Sequence, residues 1–167
     1  MIKIKSKISF KQYRKLLFSL AYKKPMMKFL LCIAFAMVVW IAGYYLHLLP
    51  VPRPQIYQYI TLVLITVVQP LVIYFTIKQN YYSSNHLGEQ LEIQLTPGEI
   101  KMHGQSFYTE ITWKKIYKID ELTNWFLIYQ NSLSAIIIPK ASFHGSQLQE
   151  FKKILRDIKN VPVHLKG

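Results

Sequence analysis

The chain predicts a helical membrane hairpin followed by an α+β domain, an antiparallel curved sheet or split barrel closed by a C-terminal helix. Three observations lead there. Residues 29–49 and 57–77 contain no Asp, Glu, Lys or Arg. Between them lies Pro50-Val51-Pro52-Arg53-Pro54-Gln55-Ile56, whose prolines break any continuous helix. Beyond residue 84 the apolar positions alternate with period two, until a last segment returns to helical spacing.

At about 1.5 Å of rise per residue, each apolar stretch reaches roughly the 30 Å of a bilayer's hydrocarbon core. A buried core helix is the competing reading, but such helices are shorter and keep a polar stripe. Here Leu30, Ile33, Phe35, Val38 and Ile41 surround the first stretch, and Leu62, Ile65, Val68, Leu71 and Phe75 the second. Trp40 reads as mid-span, whereas Tyr44, Tyr45, Tyr57 and Tyr59 suit an interfacial belt near the loop 50–56. Gln69-Pro70 predicts a kink in the second span, because proline frees a backbone carbonyl.

The net charge of +13 is uneven. Residues 1–28 carry nine basic and no acidic residues, against Arg53 alone in the loop. Basic residues stay on the cytoplasmic side, so both termini are expected inside the cytoplasmic membrane and residues 50–56 outside. The basic lead is too long for a cleavable signal peptide. Positive-inside topology and anionic head groups account for the excess charge without nucleic acid. Cys32, the single cysteine, lies within the first span and allows no internal disulfide.

In residues 1–28, read as one basic amphipathic cytoplasmic segment, Ser9 is a candidate cap for a helix over 10–20. Phe10, Tyr13, Leu17 and Leu20 share one face, with Lys11, Arg14 and Lys15 away from it. Two readings stay open: a helix lying in the membrane interface, or one packed on the C-terminal domain. Lys11, Arg14, Lys15, Lys23, Lys24 and Lys28 are the candidate contacts to anionic lipid.

Residues 84–167 form the expected soluble domain. Leu91, Ile93 and Leu95 alternate with Glu92 and Gln94, and Thr96-Pro97-Gly98 turns the chain. Ile100 and Met102 continue the pattern, followed by a turn at 103–105. Phe107, Thr109, Ile111 and Trp113 share the next face, and an irregular step after Trp113 leads into a strand over 115–122. Strands over 125–130 and 135–138 follow, and Pro139 ends the strands. Ser146-Gln147-Leu148-Gln149 has a capping-box pattern, opening a helix with Leu148, Phe151, Leu155 and Ile158 on one face. The expected core is Leu91, Ile93, Trp113, Ile119, Phe126, Ile137, Phe151 and Leu155, with Trp125 also inside.

The order "ISFKQYRKLL", two spans, "LEIQLTPGEI", "TEITWKKIYKIDEL", "NWFLIYQ", "AIIIPKASF" and a terminal helix resembles the YcxB-like bacterial membrane proteins. The Trp113-x-x-Ile116 step and Ile138-Pro139-Lys140-Ala141-Ser142-Phe143 are its most specific pieces. That resemblance implies a pleckstrin-homology-like C-terminal domain, and architecture rather than catalytic residues.

No catalytic, metal or cofactor site is expected. His47, His86, His103, His144 and His164 are scattered without metal-ligand spacing, and no Gly-rich phosphate loop or GxSxG elbow occurs. The eight carboxylates read mostly as solvated outer positions. Lys140 beside Pro139 is either a surface lysine or a contact to a phosphate or lipid head group. The expected function is thus non-catalytic protein or lipid binding, with an unidentified protein partner and the spans serving as anchor and self-association surface. The alternative is a small transport or channel subunit with Thr66, Gln69 and Pro70 lining a path. A membrane-bound enzyme ranks third.

Overall fold

A computed structural model describes residues 2–84, 87–132, 134–158 and 161–166. The chain divides into two units, Ser9–Ser83 and a second one built from Met1–Ile8 together with Ser84–Gly167.

The first unit is helical. Helix α1 (Phe10–Lys23) starts at Ser9 with a complete capping box: Gln12 N–H donates to Ser9 Oγ at 3.4 Å, and Ser9 N–H to Gln12 Oε1 at 3.0 Å. Helix α2 (Pro25–Tyr45) opens on Pro25, where a missing N–H costs nothing, so it begins before the apolar stretch does. It ends with His47 in the left-handed region (φ 55°), as Leu48 N–H returns to Gly43 O at 3.0 Å. Helix α3 (Ile56–Ser83) likewise extends beyond its apolar stretch. The anticipated irregularity at Gln69-Pro70 takes a definite form. Pro70 has no N–H for the carbonyl four residues back, and just before it the ladder widens into a π turn over Leu64–Val68, with Gln69 N–H bonded to Leu64 O.

Both α2 and α3 have a mean hydropathy of 2.2 and are long enough to cross a membrane, yet only 11% of either apolar window is buried. A core helix would be covered; these expose Phe29, Phe35, Val72 and Phe75. Trp40 lies near the loop end of α2 rather than mid-span, donating its indole N–H to Pro52 O at 3.2 Å. Tyr45 and Tyr59 hydroxyls meet at 3.0 Å on the same end of the hairpin.

Among the described residues, the second unit holds two four-stranded sheets and one α-helix. In the first sheet, β1 (Ile2–Ser6), β2 (Leu91–Leu95), β3 (Glu99–His103) and β4 (Tyr108–Thr112) pair antiparallel in sequence order. The second has the order β7 (Ala135–Pro139), β6 (Trp125–Tyr129), β5 (Lys118–Glu121), β8 (Val163–His164). The two ladders do not close into a barrel. Helix α4 (Gln147–Asp157) supplies Phe151 and Leu155, both 0% exposed, to a core shared with Ile4, Ile93, Leu95, Ile100, Ile119, Phe126, Ile128 and Ile138. Phe126, Phe143 and Phe151 pack ring against ring, Phe126 meeting Phe151 edge-on with centroids 5.0 Å apart.

Several expectations are corrected. Residues 2–6 are not part of a continuous basic segment but a strand of the soluble sheet, with Ile2, Ile4 and Ser6 inward and Lys3 and Lys5 outward. Strands do not end at Pro139, since β8 pairs parallel with β5. Ile138 rather than Ile137 faces the core. Trp113 is buried, its indole N–H donating to Thr96 O at 2.8 Å, while Trp125 is only half-buried. Ser146 precedes α4 without a side-chain cap: its hydroxyl donates to Glu150 Oε1 at 2.6 Å, and the turn is made by Gly145 at φ 55°.

Candidate functional site

Two charged features stand out: a cationic surface on the helical unit and a buried carboxylate in the sheet unit.

Within Ser9–Ser83 there are eight basic and no acidic residues. Lys11 and Lys15 on α1, Lys23 in its last turn, Lys24 between helices and Lys28 in the first turn of α2 are all exposed. Arg14 differs: its guanidinium lies 5.7 Å from the Phe10 ring centroid and 5.9 Å from that of Tyr74, a cation–π arrangement. The aromatic residues on the apolar face of α1 pack within the helical unit. Phe10 packs among Tyr74, Tyr81 and Tyr82 of α3, and Tyr13 against Tyr81 at 5.5 Å. With its aromatic side occupied by α3, α1 turns its lysines outward.

The polar residues considered for a conduction path are satisfied inside the hairpin. Thr66 Oγ1 donates to Leu62 O at 2.7 Å, and the Gln69 amide reaches Met27 Sδ at 2.8 Å.

Glu121, expected on a solvated face, is buried at the end of β5 with a side chain 1% exposed. Its Oε1 accepts from Lys140 Nζ at 2.5 Å and lies 2.9 Å from Lys152 Nζ, and its Oε2 accepts the Lys166 N–H at 2.9 Å. Burial pushes this carboxyl up, but the donors from Lys140, Lys152 and Lys166 outweigh burial and hold it below the usual range. Lys152 Nζ also donates to Lys166 O at 3.1 Å. One carboxylate thus ties β5 to the turn after β7, to α4 and to the segment after β8. Lys140, a candidate head-group contact, is placed in this cluster, its ammonium also 5.3 Å from the Phe126 ring. Local sequence could not reveal this, since Glu121 and its three partners come from four separate segments.

A neighbouring, half-buried carboxylate repeats the motif with two partners. Asp120 accepts from Lys118 at 2.7 Å and sits 2.8 Å from His164 Nδ1. Burial raises its carboxyl, and the bonds from Lys118 and His164 bring it below its ordinary value. Among the described residues, no three His, Cys, Asp or Glu side chains gather to hold a metal ion.

No curated protein and no solved structure gives a significant match to the chain. Residues 95–155, running from the last residue of β2 through most of α4, match the family described as YcxB-like protein.

Proposed function

We propose that this is a non-catalytic protein of the cytoplasmic membrane, whose hairpin holds a PH-like interaction domain at the inner surface, where it engages anionic lipid and a protein partner. The observation that carries this reading is the β1–β2 ladder. Residues before and after the two apolar helices hydrogen-bond in one sheet, so both flanks of the hairpin occupy the same side of any membrane it crosses. The excess of cations on those flanks over Arg53 in the loop then favours the cytoplasmic side. The exposed lysines of α1 and the start of α2 supply the lipid-facing charge, each contributing about 1 kcal/mol near an anionic surface.

The reading is tested with the full chain in nanodiscs of mixed anionic and neutral lipid. Wild type is expected to retain anionic lipid preferentially, and salt to weaken the preference. Replacing Lys11, Lys15, Lys23, Lys24 and Lys28 by Gln should abolish it. Equal retention of both lipids by wild type, or an unchanged preference in the variant, would refute the lipid contact.

A further inference from the structure

We infer that the sheet unit holds a site for one neutral single-chain lipid, its acyl chain in a cavity behind β1 and a head-group oxygen hydrogen-bonded to Ser6. The inward row along this edge of the unit reads Ile2, Ile4, Ser6, Ile8, three isoleucines and one small polar residue, all 4% exposed or less. Ser6 Oγ has no hydrogen-bond partner and is the sole such buried side-chain atom among the described residues. A buried hydroxyl left unpaired opposes folding, so a serine in a row of isoleucines needs a partner that the chain does not supply.

Ser6 also lines a cavity of about 320 Å³, together with Ile8, Leu91, Met102, Phe107 and Ile136 among others. Ligand cavities begin near about 300 Å³, which suits one chain rather than two. Ala135 and Ile137 line it together with Ile136. Successive strand residues point to opposite faces, so β7, a terminal strand of its sheet, turns its edge to the cavity. Among the described residues, the only ionisable group in the lining is Glu89. Its carboxylate accepts Gln105 N–H at 2.9 Å, Ser106 N–H at 3.2 Å and the Ser106 hydroxyl at 2.6 Å. A Cβ on Gly104 would come within 2.9 Å of Glu89 Oε2, so the glycine admits the carboxylate to this turn. A negative charge already committed to the turn, with no lysine or arginine among the described residues of the lining, favours a neutral head over an anionic one. The same chain carries two helices long and apolar enough for a bilayer, the reservoir of such lipids.

The test uses the full chain in phosphatidylcholine nanodiscs containing a photoreactive diazirine monoacylglycerol, with crosslinked residues mapped by mass spectrometry. Adducts are expected on residues 2–8 and 134–137, as well as on α2 and α3, which serve as the internal control. Ser6→Ile fills the cavity and should lower the domain adducts at least tenfold with span adducts unchanged. Ser6→Ala keeps the space, removes the hydroxyl and should lower them severalfold; it carries the test should Ser6→Ile fail to fold. The corresponding ionised diazirine fatty acid should label the domain at least tenfold less than the neutral probe. Wild-type adducts confined to the spans would mean that water alone occupies the cavity, and would overturn the inference. So would equal domain labelling in wild type and Ser6→Ala, or by the acid and the neutral probe. None of these outcomes bears on the anionic-lipid contact of α1, which uses different residues.

Discussion

Ile4 stands opposite Ile93 in the antiparallel ladder of β1 and β2, and both are buried, at 2% and 1% exposure. Everything between these strands includes α1 and the apolar hairpin. The sheet is therefore completed by two segments that are far apart in sequence and pair only across the helices between them. Ile4→Ala should destabilise the sheet unit by about 2–5 kcal/mol, the range for a buried aliphatic truncation. Lys5→Ala, on the outward face, should stay within about 0.5 kcal/mol. Denaturant unfolding of the full chain, followed by tryptophan fluorescence in a Trp40→Phe, Trp125→Phe background that leaves Trp113 as reporter, separates the two.

The Glu121 cluster makes stability depend on pH. A carboxyl whose folded value is depressed stabilises the fold fully above its unfolded value, about 4.3, and loses that contribution as pH falls through the lower folded value. Glu121→Gln should remove this acid-side slope and destabilise the domain by about 2–3 kcal/mol at neutral pH, since it leaves Lys140 and Lys152 without their buried partner. Lys140→Glu should also unfold the domain, because it sets two carboxylates together. Melting temperature against pH for wild type, Glu121→Gln and Lys140→Glu checks these points.

Trp113 joins the turn before β3 to the step into β5. Trp113→Phe keeps an aromatic ring but deletes the bond to Thr96 O, with an expected loss of about 1–3 kcal/mol once cavity and hydrogen bond are both counted. Denaturant midpoints of the two proteins measure it.

Much of this architecture was legible because local chemistry and tertiary packing agree. Period-two alternation in 91–103, the Trp113 step and the Phe151/Leu155 face each appear in the fold as the pattern implies. What escaped depends on distant partners. Lys3-Ile4-Lys5-Ser6-Lys7-Ile8 alternates as clearly as any strand here, but its lysines also satisfy the positive-inside pattern, and its pairing partner lies beyond the hairpin. β8 has only two residues, too few for a period. Glu121 looks like any outward carboxylate until Lys140, Lys152 and the Lys166 amide converge on it. Span ends shifted because Pro25 starts α2 ahead of the charge-free stretch and α3 runs on through Lys78 to Ser83.

The aromatic seam between α1 and α3 gives a local prediction. Tyr13→Ala removes a ring pair worth about 0.5–1.5 kcal/mol beyond its buried area. Amide exchange over residues 10–23 should accelerate about tenfold, whereas Lys11→Gln should leave it unchanged. Hydrogen exchange read by mass spectrometry tests this.

The most direct test of the central claim, that both flanks of the hairpin form one domain on the cytoplasmic side, is cysteine accessibility in intact cells. Cys32→Ala provides the background, and single cysteines replace exposed Lys7 after β1, Arg53 in the loop and Gln149 on α4. With a membrane-impermeant maleimide, Arg53→Cys should react at once, while Lys7→Cys and Gln149→Cys should react only after permeabilisation. Opposite behaviour of Lys7→Cys and Gln149→Cys would contradict the shared sheet, and labelling of both in intact cells would contradict the cytoplasmic orientation.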